Sequence, residues 1–170
     1  MTIALMCFVN LLNIGKPLQT SVFKRSIFNI QPCWTMILEH VAIWTTQLEA
    51  LKNYYIKYFD ATANDKYTNH QKNFHSYFLS FKSGARLELM MMPGIPDNQN
   101  DTVQKQHTGI IHLAFGVETI NEVNAKAKEL EADGFPILSG PRKTGDGYYE
   151  FETLDPDKNR IEVTAIWIGN

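Results

Sequence analysis

One pattern occurs twice in this chain, and it limits the folds that the chain can adopt. The segments EHVAIWTTQLEALKNYY (39–55) and IHLAFGVETINEVNAKA (111–127) each place a histidine, His40 or His112, in an apolar, strand-like run. Each run leads into a segment whose apolar residues recur at helical spacing. This duplication predicts two copies of one structural module, each beginning with a strand and a helix.

The two helices are expected to begin in the same way. Thr46 is followed three residues later by Glu49, and Thr119 by Glu122, which is the spacing of a capping box. In that motif the hydroxyl and the carboxylate each bind a backbone N–H group left unpaired at a helix start. Gly134 is expected to end the second helix.

Further strand-like runs complete each copy. In the first copy they are residues 73–81 and 85–91, and in the second they are residues 148–154 and 160–167. The last two runs are joined by the sequence DPDKN, which is typical of a tight turn. With a weaker strand expected ahead of each pair, each copy has the order β-α-β-β-β.

The modules are predicted to span residues 36–92 and 107–168, which together form one domain. Residues 93–106 are rich in Pro, Asn and Asp and are interpreted as a linker. We interpret residues 1–35 as an N-terminal extension ahead of a start at Met36. A signal or anchor and a helical arm are the alternatives, because residues 3–12 are apolar but too short to span a bilayer.

Composition narrows the classes of partner. The formal net charge is −2 and the chain has no basic run, so we expect no nucleic-acid partner. Cys7 and Cys33 fit neither a zinc-binding spacing nor a disulfide framework. We therefore expect a cytoplasmic protein with no membrane association and a small-molecule ligand.

Each module also ends with a carboxylate inside an apolar strand. Glu88 follows His40 at nearly the same distance along the chain as Glu162 follows His112. Taken singly, each of these residues is more simply explained as solvent-exposed or structural. If the two sheets face each other, however, two imidazoles and two carboxylates would suit a divalent ion such as Zn, Ni, Co, Mn or Fe.

Five motifs in this order and spacing, EHVAI, RLEL, GIIHLAF, GDGYYEF and DPDKNRIEV, resemble the vicinal oxygen chelate superfamily. That superfamily includes glyoxalase I, methylmalonyl-CoA epimerase, extradiol dioxygenases and fosfomycin- and bleomycin-resistance proteins. The resemblance covers about residues 37 to 166. It implies an α+β fold in which two βαβββ modules form a cupped mixed sheet around a metal.

The resemblance to glyoxalase I implies one divalent metal held by His40, Glu88, His112 and Glu162, with Zn, Ni or Co favoured over Mn or Fe. It implies lyase or isomerase chemistry, as in lactoylglutathione lyase, on a small substrate with vicinal oxygens. The proton would move through an enediolate, with Glu162 favoured over Glu88 as the base. Family members form the site within one chain or across a dimer, so a homodimer is possible.

Two positions depart from glyoxalase I. Trp44 stands where that enzyme typically has a glutathione-binding Arg, and Met92 where it tends to have Asn. A glutathione adduct is therefore not expected as the substrate, and the predicted substrate pocket comprises Trp44, Met90, Met92 and Tyr148. The alternatives are a metal-free, drug-binding resistance-type protein and an Fe(II) dioxygenase.

Overall fold

The structure, a computed structural model, describes residues 36–100 and 103–169. Met36–Asn170 form one compact unit, and the predicted N-terminal extension lies outside the described residues. In chain order the elements are β1 (His40–Trp44), α1 (Leu48–Phe59), β2 (Thr62–Ala63), β3 (Tyr67–Asn69), β4 (Phe74–Ser80), β5 (Arg86–Met91), β6 (His112–Gly116), α2 (Ile120–Ala132), β7 (Ile137–Lys143), β8 (Tyr148–Leu154) and β9 (Arg160–Ile166).

The strands form two sheets, one from each module. The first has the order β1-β5-β4-β2, with β3 also paired to β4, and the second has the order β6-β9-β8-β7. The first and last strands of each module are parallel, whereas the other pairs are antiparallel. The predicted α+β fold of two βαβββ modules is therefore confirmed. The weakly predicted strand is split into β2 and β3 in module 1 but is continuous as β7 in module 2.

The two modules share one hydrophobic core. Leu51 and Tyr55 of α1 and Leu130 of α2 are fully buried in it. Aromatic rings join the modules, with Phe59 of α1 lying 4.4 Å from Phe115 of β6 between ring centroids. Because side chains alternate along a strand, each sheet turns one face towards this core and its other face away from it.

The two predicted capping boxes have different outcomes. The box at α2 is confirmed, because the Thr119 hydroxyl accepts from Glu122 N and the Glu122 carboxylate accepts from Thr119 N. The box at α1 is wrong: its N-cap is Gln47, and no side chain caps the helix. The Glu49 carboxylate instead binds Lys52, Lys66 and Tyr77, so tertiary partners outcompete the local cap.

The predicted DPDKN turn ties the modules together. Asp155 is buried and its carboxylate accepts four hydrogen bonds, from Asp157 N, Asn159 N, the Asn159 side chain and the Tyr55 hydroxyl. The last of these, at 3.0 Å, comes from α1 of the other module. The turn therefore closes the β8–β9 hairpin and also fixes the helix of module 1 against module 2.

Among the described residues, no helix is both long enough and apolar enough to cross a bilayer.

We expect Glu49 to contribute to acid stability. Its hydrogen bonds to Lys52, Lys66 and Tyr77 lower the pKa of Glu49 from 4.5 to about 2. The stabilisation is therefore complete above pH 4.5 and is lost as pH falls towards about 2. Glu49→Gln should lose less stability than the wild type between pH 6 and pH 3, as measured by urea unfolding. An exposed control, Glu131→Gln, should follow the wild type; identical losses for all three proteins would contradict the assignment.

Gly140 in β7 occupies a position that no larger residue fits. Its φ is +82°, and an added Cβ would overlap the carbonyl oxygen of Glu150 and lie 3.0 Å from Phe151 Cα. Gly140→Ala should lower the free energy of unfolding by about 2–3 kcal/mol, because strain and backbone overlap add. Gly145→Ala, where a Cβ meets open space, should change it by less than about 0.5 kcal/mol. Equal urea midpoints would contradict this prediction.

Candidate metal centre

In module 1, His40 and Glu88 lie on neighbouring parallel strands and point to the face away from the core. Ala42 pairs with Glu88 in register, and His40 lies two residues before Ala42. His40 Nε2 is 3.8 Å from Glu88 Oε2, and the Glu88 side chain is 16% exposed. The two predicted ligands of this module are therefore brought together.

A neighbouring carboxylate orients the His40 ring. His40 Nδ1 donates to Glu39 Oε2 at 2.5 Å, and Glu39 also accepts from Arg86 Nε at 2.7 Å. The hydrogen bond from His40, followed by those from Arg86, lowers the pKa of Glu39. A carboxylate on one ring nitrogen is the usual support for a metal-binding histidine, because it directs the other nitrogen, here Nε2, towards the ion.

Module 2 repeats the register and the His–Glu distance of module 1, although Ile111 stands in the place of Glu39. Ala114 pairs with Glu162 in register, and His112 Nε2 is 3.8 Å from Glu162 Oε2. Burial raises the pKa of Glu162, and the charges of Glu150 and Glu152 raise it further, while His112 acts in the opposite direction. The repeat of one distance and one register in both sheets supports the duplication inferred from the sequence.

Glu152 is a further candidate ligand that the sequence analysis missed. It pairs with Glu162 in register on the adjacent strand β8. His112, Glu152 and Glu162 each offer a ligand atom, and these atoms lie within 4.8 Å of one another. The alternation of β8 places Glu152 on the strand face of Tyr148, which was assigned to the pocket, but its position beside Glu162 depends on the cross-strand register.

The two His–Glu pairs do not meet at one point in a single chain. In residues 36–100 and 103–169, one group of three or more potential ligands has its ligand atoms within 4.8 Å of one another. It consists of His112, Glu152 and Glu162. The reason is the position of the core. Leu87 and Leu89 beside Glu88 are buried in it, so each pair lies on a sheet face turned away from the other module. The four-ligand set remains a prediction.

The chemistry of the donors fits a divalent ion. Each pair offers one imidazole nitrogen and one carboxylate on an accessible face, and this mixture of nitrogen and oxygen suits zinc and its first-row neighbours. Both carboxylates are partly buried, with side chains 16% and 15% exposed. A positive ion would offset the cost of holding these charges out of water.

The predicted pocket residues are divided between the modules. Trp44 pairs with Met90 in register on the ligand face of module 1, and its ring lies 6.0 Å from that of Phe74. Met92 follows β5, and it lines a cavity of about 490 Å³ together with Trp44. Tyr148 lies on the ligand face of module 2.

A larger cleft of about 860 Å³ is lined by Phe59, Phe81 and Phe115, among others, and contains none of the four predicted ligands. The His–Glu pairs therefore lie on open sheet faces and outside both of these cavities.

Comparison with known proteins agrees with this architecture. An uncharacterized protein of Bacillus subtilis (strain 168), YqjT, is 25% identical over 131 residues, which are 75% of this chain and 98% of that protein. The trypanothione-dependent glyoxalase I of Leishmania major has a TM-score of 0.61 at 20% identity, covering 77% of this chain and 87% of that one. A glyoxalase family protein from Enterococcus faecalis has a TM-score of 0.59 at 26% identity, covering 74% and 94%.

A family model spans most of the chain. The model of the Glyoxalase/Bleomycin resistance protein/Dioxygenase superfamily matches residues 37–163, and this range includes both modules and all four predicted ligands. The chain therefore belongs to the Glyoxalase/Bleomycin resistance protein/Dioxygenase superfamily.

Proposed function

We propose that this protein is a metal-dependent enzyme of the glyoxalase type, a lyase or isomerase that acts on a small substrate with vicinal oxygens. The observation that carries the proposal is the repeated His–Glu pair. His40 with Glu88 and His112 with Glu162 have the same 3.8 Å separation on equivalent strands. A solvent-exposed or purely structural histidine gives no reason for both modules to carry the same pair.

The full site is assembled from two copies of the chain, with module 1 of one copy facing module 2 of the other. Large apolar side chains surround both ligand faces, with Trp44 and Tyr148 each 40% exposed and Ile166 67% exposed. Exposed apolar groups of this size around a polar centre are typical of a surface that a partner covers. A two-fold dimer would cover both faces at once and form two identical sites.

The chain's own residues then have distinct roles. A divalent ion, when bound, polarises two adjacent substrate oxygens and stabilises the negative charge that develops on them. Glu162 accepts the substrate proton, a role that a positioned carboxylate can fill. Glu88 is the second candidate for this role. With a hydroxy-ketone, loss of the proton from the hydroxyl-bearing carbon gives an enediolate, Glu162 returns that proton to the neighbouring carbon, and a proton passes from one substrate oxygen to the other. A dicarbonyl would react as its hydrate, in which the same shift of the carbon-bound proton gives a 2-hydroxy acid.

Module 1 supplies an apolar wall for the substrate. Trp44 and Phe74 pack edge to face, and Met90 lies beside them in register with Trp44. Trp44 stands where glyoxalase I has the arginine that binds a glutathione carboxylate. The indole cannot make that charge-assisted hydrogen bond. The substrates that fit are small or aromatic dicarbonyls and hydroxy-ketones.

Bound metal and turnover test the proposal together. Protein purified without chelators or an affinity tag should contain close to one Zn, Ni or Co ion per chain in a four-ligand site. It should also isomerise small dicarbonyls or hydroxy-ketones in a reaction that a chelator stops and the ion restores. If the bound metal is mainly Fe and the protein consumes oxygen with its substrate, the Fe(II) dioxygenase alternative is favoured. If no ion binds even after incubation, the proposal is wrong and drug binding becomes the function to test.

A further inference from the structure

The two ligand faces are equivalent in backbone position but differ at one residue beside the carboxylate. In module 1 the residue in register with Glu88 on the neighbouring strand is Phe78. In module 2 the residue in register with Glu162 is Glu152. Equivalent positions in the two sheets thus carry an aromatic ring in module 1 and a third potential ligand in module 2.

The surroundings of these two residues differ accordingly. Arg86 lies over the ring of Phe78, with its Cζ 4.1 Å from the centroid, and its charge pairs with Glu39. Arg160, which holds the equivalent place, donates from one guanidinium nitrogen to Glu152 Oε2 at 2.9 Å. This contact fixes the Glu152 carboxylate on the ligand face of module 2.

The carboxylate so fixed is within reach of the ion expected at His112 and Glu162. Ligand atoms of Glu152, His112 and Glu162 all lie within 4.8 Å of one another. In a tetrahedral site, ligand atoms about 2.1 Å from the ion would be about 3.4 Å apart. The three ligand atoms would therefore have to approach one another by at most about 1.4 Å, which we assign to rotation of their side chains.

We propose that Glu152 is a third metal ligand from module 2, so that this module retains a divalent ion with three of its own side chains. The inference rests on the proposed function, since it concerns the same metal centre. It differs from that function in assigning a ligand outside the four-residue set and in making the two modules unequal. Module 2 holds the ion, and module 1 adds His40, Glu88 and the apolar wall.

Co²⁺ binding to the full chain tests this assignment, because the visible spectrum of Co²⁺ reports its coordination geometry. Glu152→Gln keeps the side-chain shape and an oxygen that can accept from Arg160. It should raise the dissociation constant for Co²⁺ at least about tenfold and change the visible band. The matched control is Glu150→Gln on the same strand face, whose carboxylate pairs with Arg142 at 3.6 Å. It should raise the constant less than about threefold and leave the band unchanged.

Three results separate the inference from the proposed function. The pattern above, with circular dichroism showing both variants folded, supports Glu152 as a ligand. If Glu152→Gln behaves like Glu150→Gln while His112→Ala loses Co²⁺, then Glu152 is not a ligand and the four-ligand centre stands. If the wild type itself binds no Co²⁺, both the inference and the proposed function are wrong.

Discussion

Replacing His112 with alanine is expected to raise the dissociation constant for Co²⁺ by at least about 100-fold, beyond the range of roughly 10–100-fold for loss of an outer-shell partner. His112 supplies the imidazole of module 2, and its Nε2 lies 3.8 Å from Glu162 Oε2. Without this imidazole, the potential ligands that remain in the group of His112, Glu152 and Glu162 are carboxylates. Zn, Ni and Co favour sites that include a nitrogen ligand. Turnover of a dicarbonyl should fall with metal occupancy.

His107→Ala is the matched control for this change. His107 is half-buried and lies outside the proposed ligand set, and its Nδ1 lies 3.2 Å from the neighbouring Thr108 carbonyl oxygen. Its removal should therefore leave Co²⁺ affinity within about twofold of the wild type. Titration followed by visible absorption measures both variants. Equal affinities for His112→Ala and the wild type would show that His112 has a structural role.

Removing the Asp155 side chain should be the most destabilising single change considered. Asp155→Ala is expected to lower the free energy of unfolding by about 3–5 kcal/mol, because it leaves several buried donors without an acceptor. Four donors bind this carboxylate, including the Tyr55 hydroxyl of the other module. Burial nevertheless raises the pKa of Asp155, with the hydrogen bonds acting against it. Urea unfolding at neutral pH measures the loss.

A smaller change at the same contact serves as the comparison. Tyr55→Phe keeps the fully buried ring and removes one of the four hydrogen bonds, so it should cost about 1–1.5 kcal/mol. Similar losses for the two variants would mean that the turn itself contributes little and that the contact between modules dominates. A loss below about 1 kcal/mol for Asp155→Ala would contradict the role assigned to this turn.

The fold could be predicted because the sequence contains two copies of the same pattern. Each strand histidine, each helix and each strand carboxylate has a counterpart in the other half, and a repeat of this kind constrains the pattern far more than one copy would. Strand alternation then placed Glu88 and Glu162 on the faces opposite the buried leucine and isoleucine residues. The family model over residues 37–163 agrees with the predicted fold.

What the sequence could not predict depends on contacts between distant residues. The capping box expected at Thr46 failed because Glu49 is bound by Lys66 and Tyr77, which lie beyond α1. The separation of the two His–Glu pairs depends on how the modules pack, and the local pattern is the same whether the sheets face each other or not. Glu152 was missed because its position beside Glu162 is a matter of cross-strand register.

A mixed dimer of two variants, each lacking one predicted histidine ligand, tests most directly whether the metal centre is formed by residues from both chains of a dimer. His40→Ala alters module 1 and His112→Ala alters module 2. Dimers of His40→Ala keep the module 2 ligands and should bind Co²⁺ more weakly with a changed visible spectrum, and dimers of His112→Ala should lose Co²⁺, so neither has the wild-type site. A mixed dimer, isolated with two different removable tags, should regain one such site, since one module 1 and one module 2 remain intact and face each other. Mixed dimers whose Co²⁺ affinity and spectrum match those of the parents would contradict a site formed across two chains.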